Sequence, residues 1–275
     1  MKNPSRVLAI ASMLVSLGIA LVIASCGDTG TNGEVKSNWT VNAVLSTIAD
    51  DGQTYAFLAL TKDNAAHTAA TISLEAPAGD TIPAATPINL IGLGDGTYRK
   101  TFAPSALRDT TNIKVKSLVD QFQFSFQLSV PDSFSAAIID LADNRVLSST
   151  QQVQVRWTSS KFAEGYFIVV LPAGASNTSA IGYKRILRPG DYTQDPPYSS
   201  AMIPRETFRS SQGDFKTGAY NVWVAAYHDN PINDETLPFI LPVGFVANVD
   251  RVGVTGQIGA IYIARVLALT AVAGS

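Results

Sequence analysis

The sequence predicts an all-β fold made of two tandem β-sandwich domains. Hydrophobic side chains occupy every second position in three stretches, 122–130, 153–157 and 218–226. A period of two is produced by strands that are buried on one face, as in antiparallel sheets. Clusters of glycine, asparagine and aspartate separate the apolar stretches, and such clusters mark turns between strands. Short strands joined by turns are typical of sandwiches.

The N-terminal segment predicts export. Lys2 and Arg6 precede an uncharged apolar run that ends at Ile23. This is the layout of a signal peptide, so residues 1–25 are set apart from the fold. An uncleaved membrane anchor is the alternative, since a helix that crosses a bilayer needs about twenty residues.

The apolar run ends in Ile23-Ala24-Ser25-Cys26, and Cys26 is the only cysteine in the chain. This segment resembles the lipobox of bacterial lipoproteins, in which an aliphatic residue and two small ones precede the acylated cysteine. The resemblance implies a membrane anchor through a lipid on Cys26. Gly27 follows the cysteine and Asp28 comes one later, which favours the outer membrane or cell surface of the envelope over the inner membrane.

Residues 26–38 are predicted to be the lipidated cysteine and a flexible tether. The stretch 27–38 is small and polar and has too little apolar surface to offset the entropy of ordering. Twelve such residues reach at most about 40 Å. We therefore expect the first folded domain to lie close to the membrane.

The charge balance argues against nucleic acid as a partner. Two of the 20 basic residues and none of the 22 acidic ones fall within 1–25, which leaves a net charge near −4. Binding to a phosphate backbone needs a basic stripe, and the charges here are evenly mixed. We expect the partners to be the membrane, through Cys26, and an unknown protein or glycan.

The first domain is predicted to span 39–130. Strand signals cover 39–48, 54–61 and 71–76, and the clearest alternation runs from Phe122 to Val130. Before it, Gly94-Asp95-Gly96-Thr97-Tyr98 forms a glycine turn that leads into a strand. This turn resembles the corner of bacterial immunoglobulin-like domains, which implies an immunoglobulin-like sandwich.

The second domain is predicted to span 131–275, because Pro131 ends the preceding strand. Val153-Gln154-Val155-Arg156-Trp157-Thr158, Gly165-Tyr166 and the alternating strand from Tyr220 follow in that order. Together they resemble the fibronectin type III pattern. The resemblance implies that Trp157 lies in the core and that Tyr220 closes a corner.

Two segments depart from that pattern. About thirty residues separate Val170 from the next strand, near Ser200. After His228 the chain continues for 47 residues, where one closing strand would suffice. The apolar stretch 261–267 in this tail predicts a buried strand, although a helix fits its periodicity as well.

Catalytic and metal signatures are missing from the sequence, so we expect neither an enzyme nor a cofactor. His67 and His228 are the only histidines, and both are expected to be solvated loop residues. Asp229, Asp234 and Glu235 offer oxygen ligands on one loop and form a weak Ca²⁺ candidate. The competing interpretation is an ordinary polar loop.

The long insert is the candidate binding surface. Tyrosine and arginine are enriched at binding hot spots, and the insert carries Tyr183, Arg185, Arg188, Tyr192 and Tyr198. The competing account is an extra edge hairpin whose tyrosines pack on the sheet and whose arginines face water.

The leading functional hypothesis is a non-enzymatic binding, adhesion or structural module. A carbohydrate-binding module is the alternative; its exposed aromatic rings would come from Trp39, Trp223 and the tyrosines, since Trp157 is expected in the core. An enzyme with an unrecognised site is the third.

Overall fold

A computed structural model describes residues 38–76, 86–107, 109–120, 122–139, 141, 146–175, 182–229, 249–251 and 253–272. These residues form an all-β fold, as the sequence predicts, with two short 3-10 helices, η1 (Pro104–Ala106) and η2 (Arg205–Phe208). The folded unit covers 37–275.

The strands of its first half are β1 (Trp39–Ile48), β2 (Gln53–Lys62), β3 (Ala65–Ala66), β4 (Ala70–Glu75), β5 (Ile88–Asn89), β6 (Ile91–Gly92), β7 (Thr97–Phe102), β8 (Thr110–Ser117) and β9 (Gln123–Ser129). Those of the second half are β10 (Ala136–Ile139), β11 (Val146–Leu147), β12 (Val153–Thr158), β13 (Gly165–Pro172), β14 (Tyr183–Leu187), β15 (Thr193–Asp195), β16 (Tyr198–Ile203), β17 (Gly218–His228), β18 (Val249–Arg251), β19 (Val254–Ile263) and β20 (Leu267–Ala271).

The first sandwich packs the four-stranded sheet β5-β4-β8-β9 against the β19-β1-β2-β7 part of a twelve-stranded sheet. The alternation of β9 is confirmed, since Phe124, Phe126 and Leu128 are buried in this core while the residues between them face out. The predicted glycine turn also forms. Gly96 has φ +81°, and a Cβ there would lie 2.9 Å from the Ala66 Cβ, so the turn requires glycine.

The second sandwich packs the sheet β10-β12-β16-β15 against β13, β17 and β20. Trp157 is buried at its centre, as predicted. The Tyr220 hydroxyl donates a hydrogen bond to the Lys216 carbonyl at 3.1 Å. This bond confirms the corner role of Tyr220, because it fixes the tyrosine to the backbone just before its own strand.

The two sandwiches share the twelve-stranded sheet. Strand β19 pairs in parallel with β1 along its whole length, from Trp39↔Val254 to Ile48↔Ile263. Its last four residues also pair antiparallel with β17. The stretch 261–267, left open as strand or helix, is thus the end of β19 and the start of β20, with residues 264–266 between the two strands. Strand β19 lies against the first sandwich, although the sequence grouped it with residues 131–275. Strand β20 pairs with β17 of the second sandwich.

A third hydrophobic cluster lies on the opposite face of the shared sheet. Phe167, Val169 and Leu171 of β13 belong to it, whereas the alternate residues of that strand belong to the second core. Trp223 is partly buried against the same cluster. The central strands are therefore buried on both faces, which explains why β13 reads as a continuous apolar run.

Candidate functional site

The predicted insert is an ordered extension of both sheets of the second sandwich. Strand β14 pairs antiparallel with β13, and β15 forms a hairpin with β16. The prediction of a strand near Ser200 is confirmed. The five candidate residues therefore sit on strands or on the turn between β14 and β15, where packing holds the backbone.

Two of the five candidate residues pack inward. The ring of Tyr192 lies 5.5 Å from Trp157 and 5.7 Å from Tyr166. Tyr183 is half-buried against the same core, and burial raises the pKa of its hydroxyl. These contacts fit the packing account of the insert, so neither tyrosine is available as an exposed anchor.

The other three residues are exposed, and two of them share one turn. A guanidinium nitrogen of Arg185 donates to the Asp191 carbonyl at 3.3 Å, and the backbone N–H of Arg188 donates to the Asp191 carboxylate at 2.9 Å. Tyr198 lies on the other sheet, where the guanidinium of Arg156 sits 4.6 Å from its ring centroid. The structure thus brings Arg185 and Arg188 together and places Tyr198 on a separate element.

Strand β14 is an edge of the twelve-stranded sheet. Within the described part of the chain it pairs with β13 alone. An edge strand presents backbone donors and acceptors on its outer side, which another extended segment can use. Lys184 and Arg185 are exposed on this strand, and Arg188 follows it. Sequence reasoning selected the arginines by residue type and had no signal for the edge, because an edge is set by strand order.

His228 joins two carboxylates at the end of β17. Its Nδ1 lies 2.8 Å from the Phe162 carbonyl oxygen, so Nδ1 carries the proton. Nδ1 also lies 3.7 Å from a Glu164 oxygen, and Nε2 lies 3.6 Å from an Asp229 oxygen. Burial raises the pKa of the Asp229 carboxyl, His228 opposes that shift and Glu164 adds to it. The expectation of a solvated loop histidine was wrong for His228, because strand pairing extends to it.

The Ca²⁺ candidate stays a prediction, because Asp234 and Glu235 lie outside the described residues. Asp229 faces His228, and Ca²⁺ prefers oxygen ligands to imidazole nitrogen. The grouping fits an ion-pair cluster that forms when His228 is protonated.

His67 is buried, which corrects the expectation of a solvated turn residue. Its ring packs edge-on against Trp39 at 4.8 Å, and Nε2 lies 3.2 Å from the Ser117 hydroxyl and from the Ala69 carbonyl. The residue follows a turn in sequence, but the chain folds back beneath β1 at this point. His67 is therefore a packing residue of the first sandwich.

A cleft of about 280 Å³ opens near Pro131, between the two sandwiches. Asp109 and Asp132 contribute to its wall. The Lys161 ammonium lies 2.7 Å from the Asp109 carboxylate, so a cation of the protein already occupies this acidic position. We assign no site to the cleft.

The lipobox, with Cys26 and the segment before it, lies outside the described residues. Among the described residues, no helix is both long and apolar enough to span a membrane.

No protein-family model matches the chain, and no curated protein matches it. Three similar solved structures are the chicken CNTN1 FN1-FN3 domains (12% identity, TM-score 0.27), a Salmonella alpha-2-macroglobulin mutant (8%, 0.25) and the human OSCAR ligand-binding domain (10%, 0.24). They cover 84%, 89% and 84% of this chain. In turn, this chain spans 65%, 15% and 97% of the length of those three chains, in the same order. The fold assignment rests on the strands and their pairing.

Proposed function

We propose that this chain is a lipid-anchored envelope protein whose ectodomain is a non-enzymatic binding module. The observation that carries the binding role is the edge of β14, which pairs on one side only among the described residues and carries basic side chains. The Ile23-Ala24-Ser25-Cys26 segment supports the anchor. The composition after Cys26, with its mixed charge and low content of histidine, supports the absence of catalysis.

The partner that fits this edge is an extended protein segment that adds to the sheet as a further strand. Such addition uses main-chain hydrogen bonds for affinity and side chains for specificity. Lys184, Arg185 and Arg188 outnumber the acidic Asp191 of the adjoining turn. The resulting net positive charge disfavours pairing with a second copy and favours a segment with acidic side chains.

A photo-crosslinking residue at Lys184 tests the edge in cells, with the same residue at Ser105 as the control, since Ser105 is exposed in the first sandwich. We expect a defined protein adduct from position 184 and none from 105. Arg185→Glu with Arg188→Glu should remove that adduct and leave the melting temperature within a few degrees, because both side chains are exposed. Equal adducts from both positions, or an adduct that survives the charge reversal, would count against the proposal.

The anchor is tested by the mass of the mature protein. We expect a chain that begins at Cys26 and carries acyl groups, and Cys26→Ala should give a chain without lipid. A wild-type mass that includes residues 1–25 would contradict it.

The carbohydrate-binding alternative has its main support in an exposed Trp223, since Trp39 is buried. The Trp223 ring is partly buried against the third cluster, whereas a sugar platform needs an open ring face. We therefore do not propose a glycan as the partner.

A further inference from the structure

Asn38, the first residue that the structure describes, lies at one end of the first sandwich, and the turn between β8 and β9 lies at that same end. The backbone N–H of Asn38 donates to the Asp63 carboxylate at 3.2 Å, and Trp39 pairs with Lys62 and Val254. Phe122, which follows the β8–β9 turn, stacks on Trp39 with ring centroids 4.8 Å apart. The turn is therefore next to the point where the tether joins the domain.

This turn holds the two most exposed large hydrophobic side chains of the described residues. Leu118 is 63% exposed and Val119 is 67% exposed. A third exposed residue, Leu93, lies in the turn between β6 and β7, which opens toward the same end because Thr97 at the start of β7 pairs with Ala59. A group of apolar side chains at one end of a soluble domain marks a contact surface.

The turn is held in shape by hydrogen bonds. The backbone N–H of Leu118 donates to the Ala69 carbonyl at 2.8 Å. The Ser117 hydroxyl accepts from the backbone N–H groups of Val119 and Asp120, at 3.4 and 3.1 Å. Asp120 also binds the Lys62 ammonium. These bonds fix the backbone of the turn on which Leu118 and Val119 are exposed.

We propose that the apolar tip formed by Leu118 and Val119 docks into the lipid bilayer that holds the anchor. This inference rests on the proposed lipidation of Cys26. The tether of residues 27–38 reaches at most about 40 Å, and it joins the domain beside the tip. The bilayer is the apolar phase that such a short tether keeps within reach of this end of the sandwich.

The charged residues named at this end form no basic patch, so apolar insertion rather than attraction to anionic lipid holds the tip. Lys62 pairs with Asp120, and Lys116, Asp63 and Asp95 are exposed. Salt weakens electrostatic adsorption and leaves apolar burial in place. Docking is therefore expected on zwitterionic vesicles, at low and high salt alike.

The lipid on Cys26 would occupy the only natural thiol, so one introduced cysteine can be labelled alone. The Leu118→Cys and Val119→Cys variants of the lipidated protein are each labelled with a polarity-sensitive fluorophore and bound to phosphatidylcholine vesicles. Ser105→Cys in η1 is the matched control, because it lies at the opposite end of the first sandwich from the tip. Helix η1 follows Phe102, the last residue of β7, which pairs with Thr54 at the start of β2. The eight steps of β2 between Thr54 and Lys62 put this control about 26 Å from the tip.

We expect blue-shifted emission at positions 118 and 119 and quenching by lipids with brominated chains, with neither effect at 105. The docking would be overturned if the fluorophores at 118 and 119 emit as in water while the protein floats with the vesicles and its mass includes the acyl groups. The lipid anchor would stand in that case. A blue shift without bromine quenching would assign the tip to a protein contact and would also overturn it. A mature protein whose mass includes no acyl groups would contradict both the lipid anchor and the docking of the tip.

Discussion

Replacement of Trp157 by alanine tests the second core most directly. The side chain is 1% exposed and packs against Tyr166 at 5.2 Å and Tyr192 at 5.5 Å. Its strand is central, between β10 and β16, so the backbone cannot easily close the space that the indole leaves. We expect most of the resulting cavity to persist.

The magnitude follows from the buried area. A buried tryptophan removes about 150–250 Å² from water, which corresponds to about 4–6 kcal/mol at about 25 cal/mol per Å². Alanine retains a small part of this, and core aromatic truncations cost about 3–5 kcal/mol. At about 2–4 °C per kcal/mol for a unit of this size, a cost of about 3–5 kcal/mol should lower the melting temperature by about 6–20 °C.

The assay is thermal and urea unfolding followed by calorimetry and circular dichroism. Tyr198→Ala is the control, since it removes a nearby aromatic ring that is 40% exposed, and we expect a change below about 1 kcal/mol. Because the shared sheet joins both sandwiches, a single transition should shift as a whole. A loss below about 1 kcal/mol for Trp157→Ala would refute the tight core and the corner alignment that accompanies it.

Three further predictions concern the shared sheet, the corner and the tip. Gly256 has φ +147°, and a Cβ there would lie 1.8 Å from the Val41 carbonyl oxygen. Gly256→Ala should therefore lower the free energy of unfolding by on the order of 3 kcal/mol or more. A variant whose urea midpoint is unchanged would contradict the β1–β19 pairing. Tyr220→Phe removes the corner hydrogen bond and should cost about 0.5–1.5 kcal/mol in the same assay, whereas an unchanged midpoint would mean that this bond contributes nothing. The Lys62 ammonium holds the pKa of the Asp120 carboxyl below its ordinary value of 3.8, with a smaller contribution from Ser117. The pair therefore stabilises the fold fully at pH values above 3.8, and this stabilisation is lost as the pH falls through the lowered pKa of the folded state. In Lys62→Met, carboxyl NMR should show the Asp120 pKa rising toward 3.8, and an unmoved titration would exclude the pair as the cause.

The sequence by itself determined the local structure of about half of the strands. The predicted bounds 39–48 coincide with β1, and the alternating stretch at 122–130 contains β9. Trp157 and Tyr220 could be placed because their roles depend on side-chain alternation and on a tyrosine that bonds to backbone nearby in the chain. These are short-range properties, and a period of two records which face of a strand is buried.

Only the tertiary structure decided which strands meet. The parallel pairing of β1 with β19 joins residues more than 200 positions apart, and it leaves no mark in the local pattern because both strands simply read as apolar. The burial of His67 has the same origin, since Trp39 and Ser117 reach it from distant strands.

The binding candidates separated for the same reason. Tyrosine and arginine in one insert gave a single candidate surface, but the fold turned Tyr192 toward Trp157. It left Arg185 on β14 and Arg188 just after it, and β14 pairs on one side only among the described residues. Residue type indicates what a side chain can bind. Whether the side chain reaches a partner depends on its face and on the strand beside it, and both are fixed by long-range packing.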